Sequence, residues 1–119
     1  MATRVLIADD DDFCASTVQA LLSSLSIESE IVTNGIECCE KLESEPGKFH
    51  IVLMDFWMPE MDGLEATRCI KDLGLGQVNK VYGITADSDP EIIAKGRNSG
   101  MDDVFIKPLS IPTLRKILP

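Results

Sequence analysis

Short apolar runs alternate along the chain with segments in which apolar residues recur at the spacing of an α-helix. The runs are rich in valine and isoleucine, which is typical of β-strands, and the segments between them have the pattern of amphipathic helices. The predicted strands are Arg4–Ala8, Glu28–Val32, His50–Met54, Lys80–Thr85 and Val104–Ile106.

A helix is predicted after each strand. Each of the first three helices has apolar residues on one side. In the first helix these are Phe13, Val18, Leu21, Leu22 and Leu25; in the second, Gly35–Glu45, they are Ile36, Cys39 and Leu42; in the third they are Leu64, Cys69, Ile70 and Leu73. The fourth helix begins at Pro90 with Asp89 as its N-cap, and Gly100 lies just past its end, as is common for these residue types. The fifth helix is short and runs from about Ile111 to Leu118.

Five strands in strict alternation with helices predict an α/β fold, in which a doubly wound parallel sheet is covered by helices on both faces. The first and third strands are almost continuously apolar, as expected for strands buried on both sides. Functional sites in such folds form at the carboxyl ends of the strands. Those ends carry polar residues that should meet at one edge of the sheet: Asp9, Asp10, Asp55, Thr85 and Lys107.

The length of 119 residues suits one compact domain, predicted to span residues 1–119. The formal net charge is −9, from 11 basic and 20 acidic residues. This charge argues against nucleic-acid binding, which depends on contacts of lysine and arginine with phosphate. A basic protein partner or bound cations would suit the charge, and so would a simple role in keeping the domain soluble.

The sequence shows no signal for a membrane or for export. No apolar run approaches the ~20 residues of a membrane span, and the N-terminus lacks the pattern of a signal peptide. The four cysteines, Cys14, Cys38, Cys39 and Cys69, fall in predicted helices without a CxxC pair. We interpret them as packed thiols rather than metal ligands or redox groups, and we expect a cytoplasmic location.

The polar residues at the strand ends suggest a chemistry. Carboxylates of Asp9, Asp10 and Asp55 at one spot would repel one another, and Mg²⁺, which prefers carboxylate and water oxygens, would relieve that repulsion. The Lys107 ammonium and the Thr85 hydroxyl could stabilise the charged oxygens of a phosphoryl group. Asp55, at the end of the central strand, is the candidate nucleophile toward phosphorus.

The next two aspartates, Asp11 and Asp12, are predicted to have a different role. They open the first helix, where negative charge is favourable at the positive end of the helix dipole. The run of four aspartates therefore divides into two candidate metal ligands and two residues that cap or solvate a helix.

Four segments, VLIADDD, VLMDFWMPEMDGLEATR, GITAD and MDDVFIKPL, resemble the receiver domain of two-component response regulators. The resemblance spans essentially the whole chain and keeps the order and spacing of the segments. It implies a flavodoxin-like single domain with strand order 2-1-3-4-5. It also implies a phosphoacceptor domain of a two-component or phosphorelay system, rather than an enzyme that turns over external substrates.

The resemblance implies roles for matching positions. Asp55 would accept the phosphoryl group, Thr85 would bond its oxygens and Lys107 would form an ion pair with them. Mg²⁺ or Mn²⁺ would be held by the carboxylates of Asp9, Asp10 and Asp55 and by the backbone carbonyl of Trp57. The loops would be shaped by Pro59, Gly63 and Pro108, the last of which follows Lys107 in a peptide bond that is commonly cis in the family.

Two positions near the site are candidate modulators. Many family members have an aromatic residue three places before the lysine, but here that position is Val104 and the aromatic residue is Phe105. Neighbouring residues of a strand face opposite sides of the sheet, so Phe105 is expected in a core or helix contact. Trp57 is expected either to shield Asp55 from water, which would prolong phosphorylation, or to contact a partner.

Other functions fit the sequence less well. An aspartyl phosphatase needs a second acid where Trp57 stands, and an EF-hand starting at Asp9 needs glycine and glutamate where Cys14 and Ala20 stand. A flavin-binding protein needs a loop that cradles phosphate, which four aspartates would repel. A degenerate receiver that only docks proteins is the remaining alternative.

The phosphoryl donor must be another molecule or domain, because the chain has one histidine, His50, and no ATP-binding signature. The expected donor is the phosphohistidine of a histidine kinase or of a histidine phosphotransfer protein. The phosphorylated domain would bind a downstream protein partner, act on its own kinase domain or pass the phosphoryl group on. Both a free-standing receiver and a receiver from a hybrid kinase remain open. His50 itself is interpreted as structural or exposed.

Overall fold

The computed structural model describes residues 3–119, so Met1 and Ala2 of the predicted domain lie outside the described residues. Within that range, five strands alternate with five α-helices. The strands are β1 (Arg4–Ala8), β2 (Glu28–Val32), β3 (Ile51–Asp55), β4 (Lys80–Thr85) and β5 (Asp103–Ile106). The helices are α1 (Asp12–Ser24), α2 (Gly35–Ser44), α3 (Gly63–Leu73), α4 (Pro90–Asn98) and α5 (Ile111–Ile117).

The strands form one parallel sheet in the order β2-β1-β3-β4-β5, which confirms the predicted fold. The register brings the carboxyl ends of neighbouring strands level with one another. Ala8 of β1 lies beside Met54 of β3, and Asp55 lies beside Ile84 of β4. Asp9 therefore follows β1 at the level where Asp55 ends β3.

The sheet separates two apolar cores. Alternate residues of β1 and β3 face opposite sides: Leu6 and Val52 pack with α2, α3 and α4, whereas Val5 and Leu53 pack with α1 and α5. Every residue of β3 is buried, as predicted for the central strand. Each buried aliphatic side chain contributes about 1.5–3 kcal/mol, so the strand that carries Asp55 is the most firmly anchored part of the sheet.

Two strands differ from their predicted bounds. β3 begins at Ile51 rather than His50 and ends at Asp55 rather than Met54, because its pairing with β4 runs from Ile51 to Asp55. His50 instead precedes the strand, where its Nδ1 accepts a hydrogen bond from the Arg4 N–H at 3.2 Å. β5 begins at Asp103 rather than Val104, since Asp103 already pairs with Tyr82. α2 and α5 each end one residue earlier than predicted.

Some apolar positions that the helical pattern predicts to face the core are exposed. Phe13 is 80% exposed because it lies in the first turn of α1, and Leu73 is exposed in the last turn of α3. In α2 the buried face consists of Gly35, Cys38 and Leu42, so Cys38 rather than Cys39 is fully buried. All four cysteines are free thiols, and among residues 3–119 no helix is long and apolar enough to cross a membrane.

Candidate functional site

The carboxyl ends of β1 and β3 bring three aspartates together. Asp9, Asp10 and Asp55 each place one carboxylate oxygen within 4.8 Å of the others. Asp9 and Asp55 are buried, whereas Asp10 is exposed. The cluster therefore has two buried members and one side that is open to water.

Lys107, directly after β5, reaches the same cluster. Its Nζ lies 3.1 Å from Oδ2 of Asp9 and 3.4 Å from Oδ2 of Asp55. Its backbone N–H donates to the Thr85 carbonyl at 2.8 Å, which ties the lysine to the end of β4. Lys107 contributes one positive charge and the three aspartates contribute three negative charges, so the cluster retains two formal negative charges when all the groups are ionised.

Burial and charge shift the pKa values of this cluster. Burial and repulsion from Asp9 raise the pKa of Asp55 to about 6, although Lys107 opposes the shift. Burial lowers the pKa of Lys107, but the carboxylates of Asp55 and Asp9 outweigh it and raise that pKa overall. Asp55 is thus a carboxylate that a further cation would stabilise, and Lys107 stays charged at neutral pH.

Backbone hydrogen bonds orient the two buried carboxylates. Oδ1 of Asp9 accepts the Asp11 N–H at 2.9 Å, and Oδ1 of Asp55 accepts the Phe56 N–H at 2.9 Å. In both residues the other oxygen, Oδ2, faces Lys107. Asp11 is the N-cap of α1 and accepts the Cys14 N–H at 3.1 Å, while Asp12 is the first residue of the helix. The predicted division of the aspartate run is therefore confirmed for Asp11 and Asp12.

Thr85 ends β4 one residue beyond the partner of Asp55 and is almost fully buried. Its Oγ1 accepts a hydrogen bond from the Asp87 N–H at 3.0 Å. The hydroxyl is the acceptor in this bond, so its own hydrogen is free for another partner.

The loop after Asp55 turns back tightly to α3. The Gly63 N–H donates to the Phe56 carbonyl at 2.9 Å, and a Cβ added to Gly63 would overlap the Asp55 carbonyl oxygen. Within the loop, the Pro59 carbonyl accepts the Met61 N–H at 2.8 Å. On the other side of the site, the peptide bond from Lys107 to Pro108 is cis.

The candidate modulators lie on different sides of the sheet. Trp57 is 53% exposed, and its indole meets the Phe56 ring edge-to-face with centroids 6.4 Å apart. Val104 is buried in the core beneath α4. Phe105 faces the opposite core, where its ring lies 5.7 Å from that of Tyr82.

A small apolar cavity next to the cluster has no clear signal in the sequence. It has a volume of about 120 Å³ and lies between α1 and the chain after β5. Its walls include Asp9, Asp55 and Lys107 together with apolar side chains such as Phe13 and Leu109. A second, open groove of about 710 Å³ runs along α1 and β2, and its walls do not include Asp9, Asp55 or Lys107.

The sequence matches the family model of the response regulator receiver domain over residues 5–119. The chain belongs to this family. It is a receiver domain of two-component or phosphorelay systems, and such domains are signalling domains rather than classical turnover enzymes. Receiver domains generally bind Mg²⁺ in an acidic site, and this receiver domain has the acidic cluster of Asp9, Asp10 and Asp55.

Relatives of the receiver domain include plant and bacterial proteins. Two-component response regulator 24 of Arabidopsis thaliana is 34% identical over 110 residues, which cover 92% of this chain and 77% of that protein. Autoinducer 2 sensor kinase/phosphatase LuxQ of Vibrio cholerae is 35% identical over 115 residues, which cover 97% of this chain but 13% of LuxQ. The receiver domain thus spans only a small part of some relatives. It covers 20% and 19% of the length of two further response regulators of Arabidopsis thaliana, ARR10 and ARR12.

A solved structure shows the same fold. The receiver domain of sensor histidine kinase PA1611 from Pseudomonas aeruginosa superposes with a TM-score of 0.87 at 26% identity, covering 98% of this chain and 94% of that one. That structure has a magnesium ion coordinated in its active site cleft.

Proposed function

We propose that this receiver domain accepts a phosphoryl group on Asp55 with Mg²⁺ as its cofactor. The observation that carries the proposal is the charge of the cluster: Asp9, Asp10 and Asp55 lie within 4.8 Å of one another and Lys107 supplies a single ammonium. A divalent cation would neutralise the two remaining negative charges.

The donor set suits Mg²⁺. Carboxylate oxygens are hard ligands, and Mg²⁺ usually keeps several waters while it uses one or two carboxylates. The exposed side of the cluster at Asp10 leaves space for such waters. The metal would be held by Asp9, Asp10 and Asp55 with the Trp57 backbone carbonyl, and Mn²⁺ would suit the same ligands. When bound, the ion would supply Lewis-acid stabilisation of the phosphoryl oxygens. The magnesium in the PA1611 receiver domain supports this assignment.

The side chains of the site would then divide the chemistry of transfer. Asp55 Oδ2 would form a bond to phosphorus while the bond between phosphorus and a histidine nitrogen of the donor breaks. That nitrogen would take the electron pair, and a donor ring already protonated on its other nitrogen would leave as neutral imidazole. The Lys107 ammonium would pair with the phosphoryl oxygens, and the free hydrogen of the Thr85 hydroxyl would bond one of them.

The proposed donor is a histidine kinase or a histidine phosphotransfer protein. The similarity to LuxQ, a sensor kinase/phosphatase, supports a kinase donor. Residues 1–119 would act as one domain, which after phosphorylation binds a downstream partner, acts on its own kinase domain or passes the phosphoryl group on.

Incubation with acetyl phosphate and Mg²⁺, followed by intact mass measurement, tests the proposal. We expect the wild type to gain the mass of one phosphoryl group and Asp55→Asn to gain none. Asp12→Asn is the control, because Asp12 begins α1 and should leave the adduct unchanged. An adduct that survives in Asp55→Asn would mean that another residue is the acceptor. No adduct on the wild type would favour the alternative of a receiver that only docks proteins.

A further inference from the structure

The residue after the proposed phosphoacceptor fills a gap between β4 and α4. Phe56 is fully buried. A Cβ added to Gly83 of β4 would lie 2.7 Å from Cε1 of Phe56, and a Cβ added to Gly96 of α4 would lie 2.5 Å from its Cζ. Side chains do not approach each other so closely, so the Phe56 ring occupies space that side chains at both glycines would need, and it shares the space at Gly83 with the Met101 side chain.

Helix α4 rests on this ring. Gly96 is the one buried residue of Pro90–Asn98, and Ile92 and Ile93 are only partly buried against the same core. Beneath Gly96, the surface is completed by Val104 and Met101, at 2.9 and 3.0 Å from the added Cβ. The close approach at Gly96 is therefore a contact through which the core can push on α4.

The backbone of Phe56 is also bonded to the site. Its N–H donates to Oδ1 of Asp55 at 2.9 Å, and its carbonyl accepts the Gly63 N–H at 2.9 Å. Phosphorylation of Asp55 would change the charge and orientation of the carboxylate that accepts the Phe56 N–H. Protein interiors are close-packed, so the ring cannot follow a shift of its backbone without displacing the atoms against it.

We infer that Phe56 is a positioning residue that transmits the state of Asp55 to α4 through Gly96. The inference rests on the proposed function, since it requires a group on Asp55 to transmit. Beneath Gly96, Val104 provides an aliphatic side chain and Phe56 provides the aromatic ring. Because Phe56 directly follows Asp55 in the chain, this contact is joined to the site. The state of the site thus reaches α4 by packing, in addition to the covalent path from Thr85 into the loop before α4.

Amide hydrogen exchange of α4, with and without beryllofluoride and Mg²⁺, tests this coupling. Beryllofluoride is the probe because it mimics a phosphoryl group on a carboxylate, and fluorine NMR reports its binding independently. We expect the exchange of amides in Pro90–Asn98 to change on binding in the wild type. In Phe56→Leu, binding should persist and the change in α4 should be lost. Phe56→Met, which keeps most of the volume but not the rigid ring, serves if the leucine variant does not fold.

Phe49→Leu is the matched control. Phe49 is as buried as Phe56, belongs to the same core and lies before β3, at the opposite end of the strand. It should lose comparable stability and keep the α4 response. The inference is overturned if Phe56→Leu and Phe56→Met keep that response, if Phe49→Leu loses it equally, or if the wild type binds beryllofluoride without any change in α4. Absence of binding in the wild type would instead refute the proposed function, and the coupling with it.

Discussion

The Nζ atom of Lys107 lies 3.4 Å from Oδ2 of Asp55. The other oxygen of this carboxylate, Oδ1, accepts the hydrogen bond from the Phe56 N–H. The Nζ atom of Lys107 also lies 3.1 Å from Asp9. One lysine from the end of β5 thus holds two carboxylates from the ends of β1 and β3. In the proposed reaction the ammonium would partner the phosphoryl oxygens as Asp55 Oδ2 becomes part of the new bond.

Replacing Lys107 by methionine should therefore have opposite effects on metal binding and on phosphorylation. Mg²⁺ should bind more tightly, because the cluster loses its internal positive charge. The initial rate of labelling by acetyl phosphate should fall by about 10- to 100-fold, since a charged hydrogen bond contributes about 1.5–3 kcal/mol. Mg²⁺ titration by Trp57 fluorescence and mass measurement check the two effects. Lys107→Arg, which keeps the charge, should not tighten Mg²⁺ binding, and weaker Mg²⁺ binding in Lys107→Met would contradict the charge argument.

Asp10 and Asp12 should differ in their effect on Mg²⁺. In the wild type, free Mg²⁺ at about ten times its Kd should raise the free energy of unfolding by about 1.4 kcal/mol. Asp10→Asn should reduce this gain at the same Mg²⁺ concentration, because a ligand is lost. Asp12→Asn should keep it, because Asp12 belongs to the start of α1. Thermal melts with Mg²⁺ and with a chelator measure both, and equal gains in the two variants would argue against Asp10 as a ligand.

Trp57→Asn should shorten the life of the phosphorylated state several-fold. The indole is half-exposed two residues after Asp55, and a small polar side chain would let water reach the acyl phosphate. The decay of the phosphorylated mass after removal of acetyl phosphate measures the lifetime. Trp57→Phe, which keeps an aromatic ring, should retain most of it. Unchanged decay in Trp57→Asn would instead favour Trp57 as a partner contact.

The two glycines at the ends of α3 should tolerate alanine differently. Gly63→Ala should lower the free energy of unfolding by at least about 3 kcal/mol, because the Cβ would overlap a backbone oxygen that cannot move aside. Gly74→Ala should cost about 1 kcal/mol, because its φ of +61° is strained but the space around it is open. Urea unfolding compares the two, and similar losses would show that the loop at Gly63 can rearrange.

A ring of four charges should make stability depend on pH. Lys41 and Lys48 each bridge Glu30 and Glu45, at distances of 2.7 to 2.9 Å. Hydrogen bonds from both lysines lower the pKa of Glu45 from 4.5 to about 2. A carboxyl whose pKa is lower in the folded state stabilises it fully above the unfolded pKa, and this contribution is lost as the pH falls through the folded pKa.

Glu45→Gln should consequently lower the melting temperature slightly at pH 7, and the difference from the wild type should shrink between pH 4.5 and pH 2. Melting curves across this range provide the measurement. Glu43→Gln changes an exposed glutamate in the last turn of α2, outside the ring, and should show no such trend. A difference that stays constant with pH would mean that the ion pairs of Glu45 do not stabilise the fold.

The helical pattern was a weaker guide to burial than the strand pattern. β3 is buried along its whole length, as its apolar run predicted. Phe13 and Leu73 have the right helical spacing and yet are exposed, because the terminal turns of a helix extend past the surface that the middle covers. The strand pattern placed the end of β3 at Met54, where the apolar run stops. In the structure the polar Asp55 still pairs with Ile84 of β4, and an apolar run alone does not show such pairing.

The alternation of strands and helices, and with it the residues at the carboxyl ends of the strands, could be predicted from the chain alone. This was possible because periodicity is local and because parallel strands all point the same way. Three features became visible only in the folded molecule: Lys107 reaches both Asp9 and Asp55, Phe56 fills the gap at Gly83 and Gly96, and Cys38 rather than Cys39 is buried. These contacts join segments far apart in the chain, and their geometry depends on how closely the layers pack, which no local pattern records.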